Sequence, residues 1–126
     1  EEVLEYGIST FVYCRREPFN RKKFYEFLDK KWDTSIIRCK GLVYFSDEID
    51  IAYMVESAGN SKNLVSTGPF VGAMPEQEQQ MILLQNPDIA EIWDDQYQDR
   101  MNKIVFIGKN MDKEEIISKL DSFLDE

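Results

Sequence analysis

The sequence predicts an α+β fold: a two-layer sandwich in which helices pack on a mixed, mostly antiparallel sheet. Five short runs are rich in β-branched and aromatic residues, and two further segments carry apolar residues at helical spacing. The predicted order is β-α-β-β-β-(α)-β-α, which is typical of a sheet covered by helices. Because 126 residues of which 43% are hydrophobic can bury one core, we expect a single domain over residues 1–126.

The first half begins with residues 1–5, which we expect to be a tail or the end of a linker. Residues 6–13 form the first predicted strand. Asn20 is a good N-cap for the helix that follows, and Phe19 is placed to contact Phe24 across it. The apolar face of this helix is predicted to contain Phe24, Phe27, Leu28 and Trp32.

Three strands are predicted next, at residues 35–45, 49–56 and 63–67. Gly41 indicates a bulge or a close approach of another backbone. Since a helix-length segment joins the first two strands of the sheet, those strands can lie parallel with a right-handed crossover. The later strands have short turns and should be antiparallel.

The second half contains a helix candidate at residues 75–84 and a short helical turn opened by Asn86 and Pro87. Residues 103–108 are an apolar strand that we expect to be buried on both faces. Asp112 is the predicted N-cap of the last helix, with Met111 and Ile116 placed to contact each other across the cap. The buried stripe of that helix is predicted to be Ile116, Ile117, Leu120, Phe123 and Leu124.

The composition argues against several classes of function. A net charge of −9 disfavours a nucleic-acid partner, which needs clustered Lys and Arg. One basic cluster does exist, and it is either a polyanion site or a solvated helix start. Its members are Arg15, Arg16, Arg21, Lys22 and Lys23. The sequence has no apolar segment long enough for a membrane span, and we expect a cytoplasmic protein.

Catalytic motifs are absent from the sequence. The chain has no His, so Ser-His and Cys-His nucleophile pairs are excluded, and no phosphate-binding loop ends in Lys-Ser or Lys-Thr. Cys14 and Cys39 are far apart and are expected to be small buried hydrophobes. We therefore predict no enzyme activity, no metal site and no cofactor in this chain. Because the first residue is Glu1 and not Met, we also expect the chain to be either part of a longer protein or a processed product.

Two groups of charged residues remain as candidates. Asp94, Asp95 and Asp99 could hold a hard cation, or they could form a solvated acidic turn with ion pairs near Arg100. Arg38 and Lys40 alternate on a strand whose other positions are apolar. They either contact an anionic partner domain or face solvent on a half-buried strand.

Several stretches in order resemble the C-terminal domain of CobW-like proteins. The first half contributes residues 6–13, Arg16, residues 18–19, Phe24, Leu28 and the Arg-x-Lys-Gly segment at residues 36–41. The second half contributes residues 93–94, 99–100, 104–108 and 111–112. The resemblance implies a parent protein with an N-terminal P-loop GTPase domain that uses GTP and handles a divalent metal, zinc or cobalt, or acts in cobalamin synthesis.

The residues that are not expected to pack in the core are the candidates for contacts outside this domain. The resemblance places the nucleotide and metal motifs in the N-terminal domain, so no residue here inherits them. Arg38, Lys40 and Arg100 are the candidates for docking on that GTPase domain or on a metalloprotein client. The alternative is an acidic module that binds metal ions weakly through surface carboxylates.

Overall fold

The computed structural model describes residues 2–126, which form a six-stranded sheet with helices packed on it. The strands are β1 (Glu2–Glu5), β2 (Ile8–Arg15), β3 (Ile36–Val43), β4 (Ile51–Ala58), β5 (Ser61–Pro69) and β6 (Asn102–Lys109). The helices are α1 (Arg21–Asp29), α2 (Glu76–Gln85), α3 (Pro87–Ile92) and α4 (Lys113–Asp121), and a 3₁₀ turn at Val71–Ala73 precedes α2. None of these helices combines the length and the apolar character that crossing a membrane requires.

The strand order is β1-β2-β6-β3-β4-β5, and each neighbouring pair in residues 2–126 is antiparallel. The predicted α+β class is confirmed. β2 and β3 run in the same direction, as the predicted crossover requires, but they are not neighbours because β6 lies between them. Parallel pairing occurs just beyond the start of β6, where Phe19 and Phe45 form an isolated bridge.

Residues 2–5 are not a tail, because they form β1 and pair with β2. Glu1 lies outside the described residues. Tyr6 and Gly7 join the two strands with φ values of 52° and 78°. Two consecutive positive φ angles are the geometry of a type I′ hairpin turn, whose backbone twist matches that of the flanking strands. The prediction of a tail at residues 1–5 was wrong for residues 2–5. The hairpin was not recognised because Tyr6 occupies the first turn position, where Asn, Asp or Gly is usual.

Helix α1 starts where the sequence indicates. The Oδ1 atom of Asn20 accepts a hydrogen bond of 3.0 Å from the backbone N–H of Lys23, and the rings of Phe19 and Phe24 stack with centroids 4.9 Å apart. Both predictions are confirmed. The helix ends at Asp29, so Trp32 is not helical, although its side chain still packs against the core.

Helix α4 also begins as predicted. The carboxylate of Asp112 accepts a hydrogen bond of 3.1 Å from the backbone N–H of Glu115. Met111 and Ile116 are both buried on either side of this cap. The core lies between these two helices and the sheet, and its largest members are Tyr13, Phe19, Phe24, Phe27, Phe45, Ile104, Phe106, Ile116 and Leu120.

Helices α2 and α3 form an arm that contributes no buried residue. Their bounds agree with the predicted helix and with the predicted proline at the first position of the second one. Asn86 has the predicted N-cap position, but its side chain donates a 2.8 Å hydrogen bond back to the carbonyl of Ile82 and thereby ends α2.

Strand β6 is buried on one face only, so the prediction of burial on both faces was wrong. Ile104 and Phe106 are buried in the core, whereas Val105 is 39% exposed. The reason is that the helices cover only the face towards which Ile104 and Phe106 point. Gly41 on β3 does mark a close approach, because a Cβ atom there would lie 2.2 Å from the carbonyl oxygen of Lys103 on β6.

Candidate functional site

The face of the sheet opposite α1 and α4 carries the candidate site, and we call it the open face. Successive side chains of a strand point to opposite faces, so the buried residues of each strand identify the members of the open face. From β2 to β5 these include Thr10, Val12, Cys14, Lys103, Val105, Ile107, Lys109, Arg38, Lys40, Leu42, Met54, Glu56 and Val65.

Arg38 and Lys40 lie two residues apart on β3, and both side chains belong to the open face. A register shift between Ile36 and Arg38 makes Ile37 an extra residue, so Ile37 and Arg38 are both exposed. Beyond this bulge the alternation is regular. Lys40 stands opposite Glu56 on β4 and Val105 on β6, near the middle of the sheet.

The charges of the open face differ in sign from those of the whole chain. On strands β2 to β6 its cations are Arg38, Lys40, Lys103 and Lys109, all of them exposed, whereas the one carboxylate on these five strands is that of Glu56. The chain as a whole has a net charge of −9. A basic surface on an acidic protein attracts an acidic partner.

The centre of the open face is apolar. Val12 and Val105 are directly opposite each other, with 52% and 39% of their surfaces exposed. Val65, at 60%, extends the apolar area towards β5. Exposed apolar residues surrounded by charges are typical of protein interaction sites.

The structure does not place Arg100 on the open face. Its side chain is only 12% exposed, and it pairs with Asp50 at 2.8 Å and donates to the carbonyl of Ile49 at 3.1 Å. Further donors bind the carbonyl of Tyr97 and the side chain of Gln98. Arg100 thus connects the loop before β6 to the start of β4, and its donors are used within the chain.

The carboxylates near Arg100 are also used internally. Asp94 accepts hydrogen bonds from the backbone N–H groups of Gln96 and Tyr97, and these bonds lower the pKa of its carboxyl group. Asp99 accepts from the N–H groups of Val71 and Gly72 at 2.9 and 2.8 Å. Both therefore fix loop conformation. Within residues 2–126, no three His, Cys, Asp or Glu side chains are grouped so that they could hold a metal ion.

The three arginines of the basic cluster bind different parts of the chain, whereas Lys22 and Lys23 are exposed in the first turn of α1. This arrangement favours a helix start over a polyanion site. The pairs are Arg15 with Asp121 at 2.9 Å, Arg21 with Asp47 at 2.9 Å, and Arg16 with the carbonyl of Gln98 at 2.9 Å. The hydrogen bonds that the Arg21 guanidinium donates to the Asp47 carboxylate raise the pKa of Arg21 further above its usual range.

The two cysteines are unpaired and lie in different environments. Cys14 is exposed on the open face, so the expectation that it is buried was wrong. Cys39 is buried, and its backbone N–H donates to the Ser57 hydroxyl at 3.0 Å. Burial raises the pKa of the Cys39 thiol, which favours its neutral form.

Sequence reasoning found Arg38 and Lys40 but missed the residues that complete the open face. Lys103, Val105 and Lys109 alternate with Ile104 and other core residues, and this alternation was the available signal. It was overlooked because a short apolar run gives no clear period.

Comparison with known proteins identifies similar chains. The family model described as "Cobalamin synthesis protein cobW C-terminal domain" matches residues 8–124. The "Zinc-regulated GTPase metalloprotein activator 1" of Dictyostelium discoideum is 29% identical over 126 residues, which are 98% of this chain and 26% of that protein. This chain thus spans about a quarter of the length of the curated relative.

Among solved structures, the Zn(II)-bound YjiA GTPase from E. coli is similar with a TM-score of 0.58 and 16% identity, over 94% of this chain and 30% of that one. A Zn(II)-bound triple mutant of YjiA GTPase gives a TM-score of 0.55 at the same identity and coverage. At this identity the likeness shows a shared fold.

Proposed function

Because this chain belongs to the CobW C-terminal domain family, we propose that it is the regulatory and docking domain of a metal-handling P-loop GTPase. The parent protein would deliver zinc or cobalt, or act in cobalamin synthesis. GTP and the metal would be bound by its N-terminal domain, with the metal as cargo. The support is that the chain matches the family over residues 8–124 and covers 26% of a zinc-regulated GTPase activator.

The docking surface in this proposal is the open face. It combines an apolar centre, represented by Val12 and Val105, with the cations Arg38 and Lys40. The partner is the N-terminal GTPase domain of the same protein, and a metalloprotein client is the further candidate. An acidic surface on the partner would complement these cations. We propose that the domain works in the cytoplasm and has no catalytic activity of its own.

The geometry favours docking over the alternative of a weak metal buffer. A buffer needs carboxylates that are available to ions, but Asp94 and Asp99 each accept two backbone hydrogen bonds. Hard cations prefer several oxygen ligands in one place. On strands β2 to β6 the open face offers one carboxylate, that of Glu56, among four cations.

The test is a binding titration between this chain and the separately produced GTPase domain. Replacing Arg38 and Lys40 by Ala should leave the free energy of unfolding within about 0.5 kcal/mol of wild type. The dissociation constant should rise about tenfold, with a smaller difference at higher salt. Arg38 should contribute more than Lys40, because guanidinium groups bind carboxylates with two hydrogen bonds.

The matched control replaces Lys23 and Lys119 by Ala, one exposed and one half-buried cation on the helices at the other side of the sheet. This variant loses the same charge but should bind like wild type. Equal affinities for the two double variants would reject the open face as the docking surface.

A further inference from the structure

A groove lies between helix α1 and edge strand β5, on the side of the sheet opposite the open face. Its volume is about 600 Å³, and its floor is formed by the apolar parts of Tyr25 and Leu28 from α1 and Leu64 from β5. A second hollow of about 290 Å³ shares Leu28 and Leu64 and extends the groove towards the turn at Asn60. The groove therefore follows the direction of the strand.

Strand β5 has nine residues and pairs with β4 on one side only. The hairpin between them has a two-residue loop, Gly59-Asn60, with Gly59 at φ 60°. In such a hairpin Ala58 and Ser61 close the loop as a hydrogen-bonded pair, and the hydrogen bonding alternates along the strand. The backbone N–H and C=O groups of Lys62, Leu64 and Ser66 consequently point away from β4.

The middle of β5 lacks the features that usually protect an edge. Natural edges carry charges, prolines or bulges. Here these features lie towards the two ends of the strand, as Lys62, Pro69 and the bulge at Thr67. Residues 63–66 between them, Asn-Leu-Val-Ser, are uncharged. The opposite edge of the sheet, β1, is only four residues long.

We propose that this groove binds an extended peptide segment of a partner protein, which adds to β5 as a seventh strand. Outward backbone groups of β5 would hydrogen-bond the peptide, and apolar side chains at alternate peptide positions would enter the groove over Leu28 and Leu64. The alternating backbone N–H and C=O groups of an edge strand find matching hydrogen-bond partners in another strand and in few other ligands. The occupant is therefore an extended segment rather than a helix.

Charges at the rim indicate the flanking residues of that peptide. Lys22 on α1, Lys30 at its C-terminal end and Lys62 on β5 line the groove and its extension, together with Glu26 and Asp29. Glu26 already pairs with Lys31 at 3.1 Å. The rim is thus slightly basic on a chain of net charge −9, and acidic residues beside the apolar ones would be favoured.

A second copy of this chain suits the groove less well. In a symmetric pairing of two β5 strands, the Lys22 and Lys30 side chains of both copies would approach one seam. Two acidic chains of charge −9 each would also repel each other. Self-association through β5 is therefore the alternative that the experiment must separate.

The experiment selects binders to the 126-residue chain from a displayed library of twelve-residue peptides with alternate apolar positions and acidic flanks. The enriched peptides are then titrated by fluorescence anisotropy, and their sites are located from backbone amide NMR shifts. We expect shifts at α1 and β5. Ser66→Pro removes an outward N–H without breaking the β4 ladder, and it should weaken binding about tenfold, the effect of one lost hydrogen bond with its desolvation. Val65→Glu, on the same strand but facing the other side, should bind like wild type.

A second variant covers the case in which Ser66→Pro fails to fold. Lys22→Glu with Lys30→Glu changes only exposed side chains and should weaken acidic peptides severalfold. The proposal is rejected if no peptide is enriched, if the shifts fall on the open face, or if both variants bind as wild type does. Concentration-dependent dimerisation that Ser66→Pro abolishes would instead assign the edge to a second copy. Because Ser66, Lys22 and Lys30 do not belong to the open face, the docking proposal is tested separately.

Discussion

Asn102 provides the sharpest test of how the sheet is held together at the start of β6. Its side chain is fully buried, with 0% exposure. Its amide nitrogen donates to the carbonyl of Glu17 at 2.7 Å, and its Oδ1 accepts from the backbone N–H of Tyr44 at 2.9 Å. Asn102 therefore joins the segments that follow β2 and β3 where the strand between them begins.

Asn102→Ala leaves both backbone groups buried without a partner. Each orphaned group costs about 1–3 kcal/mol, and together with the small cavity we expect a loss of about 3 kcal/mol in the free energy of unfolding. Urea unfolding monitored by tryptophan fluorescence measures this loss, since Trp32 packs against the core. Asn63→Ala, an exposed Asn on β5, should change stability by no more than about 0.5 kcal/mol.

Asn102→Asp gives the same site a pH dependence. A carboxylate can still accept from Tyr44 but must be protonated to donate to the Glu17 carbonyl, so folding raises its pKa. The variant should approach wild-type stability at acidic pH and lose stability as the pH rises through the folded pKa. The reasoning is refuted if Asn102→Ala unfolds at the same urea midpoint as Asn63→Ala, or if Asn102→Asp shows no additional pH dependence.

Three further predictions concern other positions. Gly41→Ala should lower the free energy of unfolding by about 3 kcal/mol, because its Cβ would meet backbone atoms of β6. Gly59→Ala has open space around it and should cost only about 1 kcal/mol, for its positive φ. Equal urea midpoints for the two variants would exclude the steric explanation. Asp112→Ala should lower the free energy of unfolding by about 1 kcal/mol through loss of the N-cap, and an unchanged midpoint would show that the cap contributes nothing. Arg21 lowers the pKa of Asp47, so this pair stabilises above the unfolded pKa of about 4 and the effect is lost as the pH falls below it. Asp47→Asn should therefore flatten the acid side of the stability profile, and identical profiles would argue against the pair.

Local signals in the sequence predicted much of the fold. Asn20 and Asp112 are N-caps in the structure, as their chemistry indicates, because capping depends on residues within one helical turn. Five of the six strands, all except β1, were located to within a few residues, because side-chain alternation is also a local signal. Side-chain alternation also predicted that Arg38 and Lys40 share a face.

The missed features depend on contacts between distant segments. The position of β6 between β2 and β3 set which of its faces the helices cover, and residues 103–108 alone contain no information on this. Arg100 turned inward because Asp50 lies beside it only in the folded chain. The groove needs α1 and β5 together, so it could not be predicted from either segment.

The place of β6 in the sheet has a consequence for biosynthesis. It is the last of these six strands to be translated, yet it pairs with both β2 and β3 in the middle of the sheet. Ile8 pairs with Lys109, about a hundred residues later in the chain, and contacts at such separations slow folding. While this unit emerges from the ribosome, β2 and β3 each have an edge without its native neighbour. The nascent chain must therefore remain protected from strand-to-strand aggregation until β6 has been synthesised.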